Sequence, residues 1–249
     1  GHSVNEIRAK HDAMADQATT VNSAGKEKRI RKDQNTLVAI VISHPATVEE
    51  VEANPELARE VADWERRNRD WLLAEYGDQL EGISRHTDEP YWHLHAYVIP
   101  RSPEMKAAEL HPGFVAKAES RTLLEAQGHD AKAVKKLSNK AYRDAMKAFQ
   151  DRYWDMVGAP SGLTRLGPGR RRLSGEGWKA EKDAAKAAAK TAQQAAEAEA
   201  RLADAEARLA AAEARLADVE AREKVAKRTI RKAEKTSMES LEKAAKKLS

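Results

Sequence analysis

The segment from Arg85 to Pro100 reads RHTDEPYWHLHAYVIP, and within ten residues it holds His86, Asp88, Glu89, His93 and His95. His93 and His95 are two apart, so on an extended strand both imidazoles project from the same face. His86 closes the preceding stretch. If that stretch and His93–Ile99 pair as a hairpin, all three rings can converge on one cation. Imidazole nitrogen suits Mn, Zn, Ni or Co, and Mg can be held with help from carboxylates. Asp88 or Glu89 could orient one of the rings from outside the ligand set. Three protein ligands leave coordination positions open, and the natural work of such a metal is to polarise a phosphate oxygen as a Lewis acid.

Possible phosphate-binding groups flank this stretch. Lys132, Lys135, Lys136, Lys140, Arg143 and Lys147 form one basic run, and Arg165, Arg170, Arg171 and Arg172 a second. Tyr91, Trp92 and Trp154 are candidates to stack on bases of an unpaired strand. The net charge of the 249 residues is only +4, so composition alone does not demand a nucleic-acid partner. The absence of cysteine excludes a disulfide scaffold, a thiolate metal site and a cysteine nucleophile. No stretch approaches the roughly 18 consecutive apolar residues of a membrane span, and the N-terminus lacks an apolar signal core. The expected location is the cytoplasm. The sequence opens on Gly1 rather than Met, so the native start is expected further upstream.

Elements able to position the histidines can be read around them. Thr36–Ser43 (TLVAIVIS) is a buried strand ended by His44-Pro45, and a second strand begins over Gly82–Arg85. His93–Ile99 alternates, with His93, His95, Tyr97 and Ile99 on one side and Leu94, Ala96 and Val98 on the other, and Pro100 ends it. Apolar spacing predicts helices over Pro55–Tyr76, stopped by Gly77, and over Ser138–Val157. Gly158–Gly177 is a loop rich in Gly, Pro and Arg. Strands and helices together imply an α+β domain over 1–160, a basic linker over 161–178 and a separate tail over 179–249. All aromatic residues lie at or before Trp178, and the tail contains no Gly, Pro or His. Leu202, Leu209 and Leu216 recur every seven residues, with Ala205, Ala212 and Val219 three positions later. Glu223 interrupts the register, and Ile230 and Ala233 resume it. This predicts a long helix with a narrow apolar seam: a solvated single helix, or a parallel or antiparallel coiled-coil homodimer.

His93-Leu94-His95 matches the His–apolar–His strand motif of the HUH endonuclease superfamily. The wider pattern of His86, Asp88, Glu89, His93 and His95, followed by Val98-Ile99-Pro100, resembles the Mob/Pre (MobV-type) plasmid mobilisation relaxases. Arg31-Lys32-Asp33, Ala74-Glu75-Tyr76-Gly77 and Lys136-Leu137-Ser138-Asn139-Lys140 are similar to that family in order and rough spacing. One position departs: Trp92 stands where the family has proline before the His pair, and Pro90 lies two residues earlier. The resemblance implies an HUH-type antiparallel sheet with helices on its faces, followed by a coiled coil. It implies strand-specific nicking at a single-stranded or hairpin origin of transfer, through a covalent link to the 5′ phosphate. His86, His93 and His95 would be the metal ligands, Mn2+ the expected ion with Mg2+ as the alternative, and Glu89 the acid beside them. The family's nucleophilic histidine maps onto His2 and its second histidine onto His11, the nucleophile being expected to follow a strand. Tyrosine is the rival nucleophile, with Tyr142 and Tyr153 in the expected helix. Lys136, Lys140, Arg170, Arg171 and Arg172 would meet the DNA. The competing readings are a non-catalytic DNA-binding coiled-coil protein derived from a relaxase, and a metal-dependent hydrolase of another phosphodiester or small substrate.

Overall fold

A three-stranded antiparallel sheet organises the N-terminal part of the chain. The structure is a computed structural model that describes residues 3–167 and 172–248, with side chains to residue 235 and at 238. In chain order the elements are α1 (Val4–Gln17), β1 (Thr19–Val21), β2 (Glu27–Arg29), β3 (Val38–Thr47), α2 (Val48–Ala53), α3 (Pro55–Tyr76), β4 (Leu80–His86), β5 (Tyr91–Val98), α4 (Pro112–Ala126), α5 (Ala131–Tyr153) and α6 (Gly175–Leu248). A π-helical turn, Trp154–Gly158, follows α5. The strands run in the order β3-β5-β4, and β1 and β2 form a small separate hairpin. Two compact units result, Gly1–Lys190 and Thr191–Ser249. The architecture is α+β with small antiparallel sheets and a long C-terminal helix.

β5 divides the sheet into two faces by its period of two. Leu94, Ala96 and Val98 enter the main core with Val61, Trp64, Trp71 and Leu72 of α3, and Phe149 and Tyr153 of α5 pack against the same cluster. The opposite face carries His93, His95 and Tyr97. Tyr97 packs with Ile7 and Met14 of α1 and with Ile99 and Met105, so α1 covers one end of the histidine-bearing face. Local signals explain α3: Asn54 accepts hydrogen bonds from the N–H groups of Glu56 and Leu57, Pro55 opens the first turn, and Gly77 adopts φ +54° after the last.

β3 runs beyond its expected end, through His44, Pro45 and Ala46 to Thr47. It is an edge strand, where proline withholds no needed ladder bond, and its register against β5 shifts between Ser43 and Thr47. The helix expected over 138–157 begins earlier, at Ala131, where the Asp130 side chain accepts from Lys132 and Ala133. No helix among the described residues is long and apolar enough to cross a membrane.

Glu65, buried in α3, ties that helix to the strand that leads to His86. It accepts two hydrogen bonds from Arg85, the one from Nε at 2.7 Å, and one from the Trp92 indole at 2.8 Å. Arg85 also lies over the Trp92 ring, 5.1 Å from its centre. Burial alone would raise the Glu65 carboxyl, but the bonds from Arg85 and Trp92 outweigh it and hold it below its ordinary value. A carboxylate depressed by folding stabilises the fold above its unfolded pKa, and that contribution disappears as the pH falls through its folded pKa. Glu65→Gln should therefore cost about 2 kcal/mol at neutral pH. Chemical denaturation at pH 7 checks the value, and its difference from wild type should shrink on acidification.

Candidate metal centre

β4 and β5 form the expected hairpin, with His86 directly opposite His93 and Ser84 opposite His95. Residues directly opposite share a face, so the pairing brings His86 to the side of the sheet that already holds His93 and His95. The His86 and His95 rings stack with centres 4.1 Å apart, and His93 lies 5.4 Å from His86 and 5.1 Å from His95. One nitrogen from each ring lies within 4.8 Å of the other two. That spacing suits three ligands to one ion.

The donor atoms are prepared unequally. The His93 ring is 3% exposed, and its Nδ1 bonds the Tyr91 carbonyl at 2.8 Å. The Nδ1–H is thereby the donor, which leaves Nε2 with its lone pair. That Nε2 is buried and has no hydrogen-bond partner among the described residues. A buried acceptor without a partner costs free energy unless something fills the position, and a cation fits it. Asp88 lies 3.5 Å from Nδ1 of His86, where it can orient that ring, and Glu89 lies 3.9 Å from Nε2 of His93. Burial, then repulsion from His86 and His93, lowers His95 below its ordinary value against the pull of Glu89 and Asp88. Burial and the neighbouring histidines thus favour the neutral, metal-ready form of His95.

The face beside the triad is open. Across β5, Val41 pairs with His95 and Ser43 with His93. Val41 is 59% exposed and Ser43 is exposed as well, so the edge strand leaves the side of the triad open to solvent. A cleft of about 610 Å3 adjoins this edge, lined by Ser43, Tyr91, His44, Trp178, Lys182 and Lys186 among others.

The structure sorts the other expected residues. Tyr91 shares the triad's face and is 54% exposed, so of the three aromatic candidates it is the one available to a base. Trp92 points to the opposite face, spent on Glu65 and Arg85, and the indole of Trp154 donates to the Leu163 carbonyl at 3.3 Å. Tyr153 is packed against Trp71 on the far side of the sheet, and burial pushes its hydroxyl up to about 12. It cannot reach the triad as a nucleophile. Tyr142 sits between α4 and α5, stacked on His111 and edge-on to Phe114. His11 lies on α1 and bonds Thr36 Oγ1 at 2.8 Å. Lys136 and Lys140 are exposed on α5, with Lys140 paired to Asp144, and α5 packs on the α3 side of the sheet. Arg172 occupies a turn at φ +51°. His2, Arg170 and Arg171 lie outside the described residues.

Two contributors had little signature in the sequence. The Tyr91 carbonyl fixes the His93 tautomer, which no side-chain motif announces. His44 is buried edge-on to Trp64, its Nδ1 accepting the Ala46 N–H at 3.1 Å, and burial, with help from Lys186, pushes it down to about 4. It is a neutral core residue rather than a fourth ligand. Comparison with known proteins found no matching family model, no matching curated protein and no matching solved structure.

Proposed function

We propose that the chain is a metal-dependent, strand-specific DNA-nicking enzyme of the relaxase type. The observation that carries this reading is the buried, unpartnered Nε2 of His93 beside His86 and His95. An open sheet edge flanks it, and Tyr91 is exposed on the same face. A bound divalent ion, Mn2+ first and Mg2+ as the alternative, would polarise a scissile phosphate. His86, His93 and His95 would hold that ion. Glu89 would keep a negative charge at the site, and Asp88 would orient His86.

The chemistry is transesterification. A side-chain nucleophile attacks phosphorus, a bond from protein to the 5′ phosphate forms, and the bond to the 3′ oxygen breaks, that oxygen leaving with a proton. His2 is the proposed nucleophile. In the sequence it directly precedes Ser3, whose side chain caps α1, the helix on the triad's side of the sheet. Exposed Lys136 and Lys140 would hold more distant backbone phosphates.

The test is incubation with Mn2+ and a supercoiled plasmid carrying the DNA that flanks the gene. The expected product is a relaxed circle bound covalently to protein, absent with His95→Ala and with chelator. Free 5′ phosphate ends without an adduct would point to a hydrolase instead. Metal binding with no cleavage would favour the non-catalytic DNA-binding reading.

A further inference from the structure

We propose that residues 201–220 of α6 pair in parallel and in register with the same residues of a second copy of this chain. The helix is continuous through this stretch, and its seam is uncovered, with Leu202, Leu209 and Leu216 exposed at 61, 62 and 64%. The seam identifies the flanking positions. Arg201, Arg208 and Arg215 each stand immediately before a seam leucine. Glu206, Glu213 and Glu220 each stand immediately after the second seam position, at Ala205, Ala212 and Val219. One edge of the seam is therefore all arginine and the other all glutamate.

That asymmetry decides direction. In a parallel pair, each flanking residue before a seam leucine meets the partner's residue five positions further on. Arg201 then faces Glu206 of the second copy, Arg208 faces Glu213 and Arg215 faces Glu220, and the two-fold axis repeats each contact. In an antiparallel pair like edges meet, so arginine faces arginine and glutamate faces glutamate whatever the stagger. Alanine at alternate seam layers buries little area in either direction, so the charges set the orientation. Within its own helix Arg208 is held to Asp204 at 2.8 Å, and its forked guanidinium can serve both acids. The pattern ends after Glu220. Glu223 replaces a seam residue and Lys227 stands where glutamate would be, the two pairing with each other at 2.6 Å. The proposal stands on this helix alone and is independent of the chemistry at the triad.

The chain has no cysteine, which makes the test clean. Ala205→Cys and Val219→Cys are made separately in the full chain and oxidised. Each is expected to give a disulfide-linked dimer of twice the 27.6 kDa chain mass. Adding Arg201→Glu, Arg208→Glu and Arg215→Glu should reduce self-association more than about tenfold, since six weak ion pairs become repulsive. Mixing that protein with one carrying Glu206→Arg, Glu213→Arg and Glu220→Arg should restore pairing, which guards against simple loss of the helix. Failure of both single-cysteine proteins to cross-link would overturn the proposal. So would cross-links that appear only when the two are mixed, or cross-linking indifferent to the charge reversals.

Discussion

His93→Ala is expected to weaken Mn2+ or Co2+ binding by more than about 100-fold, because losing a residue that merely supports a ligand already costs about 10–100-fold. His93 is the least exposed of the three rings and the one whose donor atom is fixed in advance. Its Nδ1 is committed to Tyr91, and the buried Nε2 is left without a hydrogen-bond partner among the described residues. Two ligands would remain, and the carboxylate of Glu89, 70% exposed and 3.9 Å from the lost nitrogen, offers an imperfect replacement. Calorimetric titration measures the affinity directly. Thermal unfolding gives an independent reading, since a metal at about 100 times its dissociation constant should add about 2.7 kcal/mol to wild-type stability. That increment should vanish in the variant, while the circular dichroism of the metal-free protein stays that of a folded chain. Unchanged metal affinity in a folded His93→Ala protein would remove the triad as the metal centre.

What the sequence made legible was whatever depended on local spacing. His93 and His95 share a face because side chains alternate along any strand. His86 joins them because only a short turn separates the strand it closes from the His93–Ile99 strand, a spacing that suits a hairpin. The span of α3 was legible because Asn54, Pro55 and Gly77 act within a turn of where they stand. What escaped reading depended on distant partners. Trp92 looked available to stack on a base, but its face of β5 packs on α3, and Glu65 lies 27 residues upstream in a largely charged stretch. Nothing in HPAT announced that β3 would run through Pro45, since that required β3 to be an edge strand. α1, α4 and the β1–β2 hairpin carry weak apolar periodicity and were not anticipated. Charge was misleading too. Up to Trp178 acidic and basic residues cancel, and the surplus of +4 falls in residues 179–249. Net charge therefore says nothing for a DNA partner, and the exposed cations of α5 stand on the side of the sheet away from the triad.

Trp71→Ala should destabilise the N-terminal unit by about 3–5 kcal/mol, the usual cost of truncating a buried tryptophan. Trp71 is 2% exposed and joins two layers, its ring 5.1 Å from Phe149 and 5.0 Å from Tyr153 of α5. Removing it leaves a cavity between α3 and α5 that neither helix can close without moving. Against a typical total of about 5–15 kcal/mol, the loss should lower the melting temperature by roughly 6–20 °C in a unit of this size. The cavity opens on the face of the sheet opposite the histidines. Below its melting temperature the variant should thus bind metal with nearly wild-type affinity, because β4, β5 and the Tyr91 carbonyl still hold the three rings. His93→Ala should do the reverse, abolishing binding in a chain that stays folded. If Trp71→Ala instead lost metal affinity well below its melting point, the histidine geometry would depend on the core behind the sheet, and the hairpin could not be what sets it.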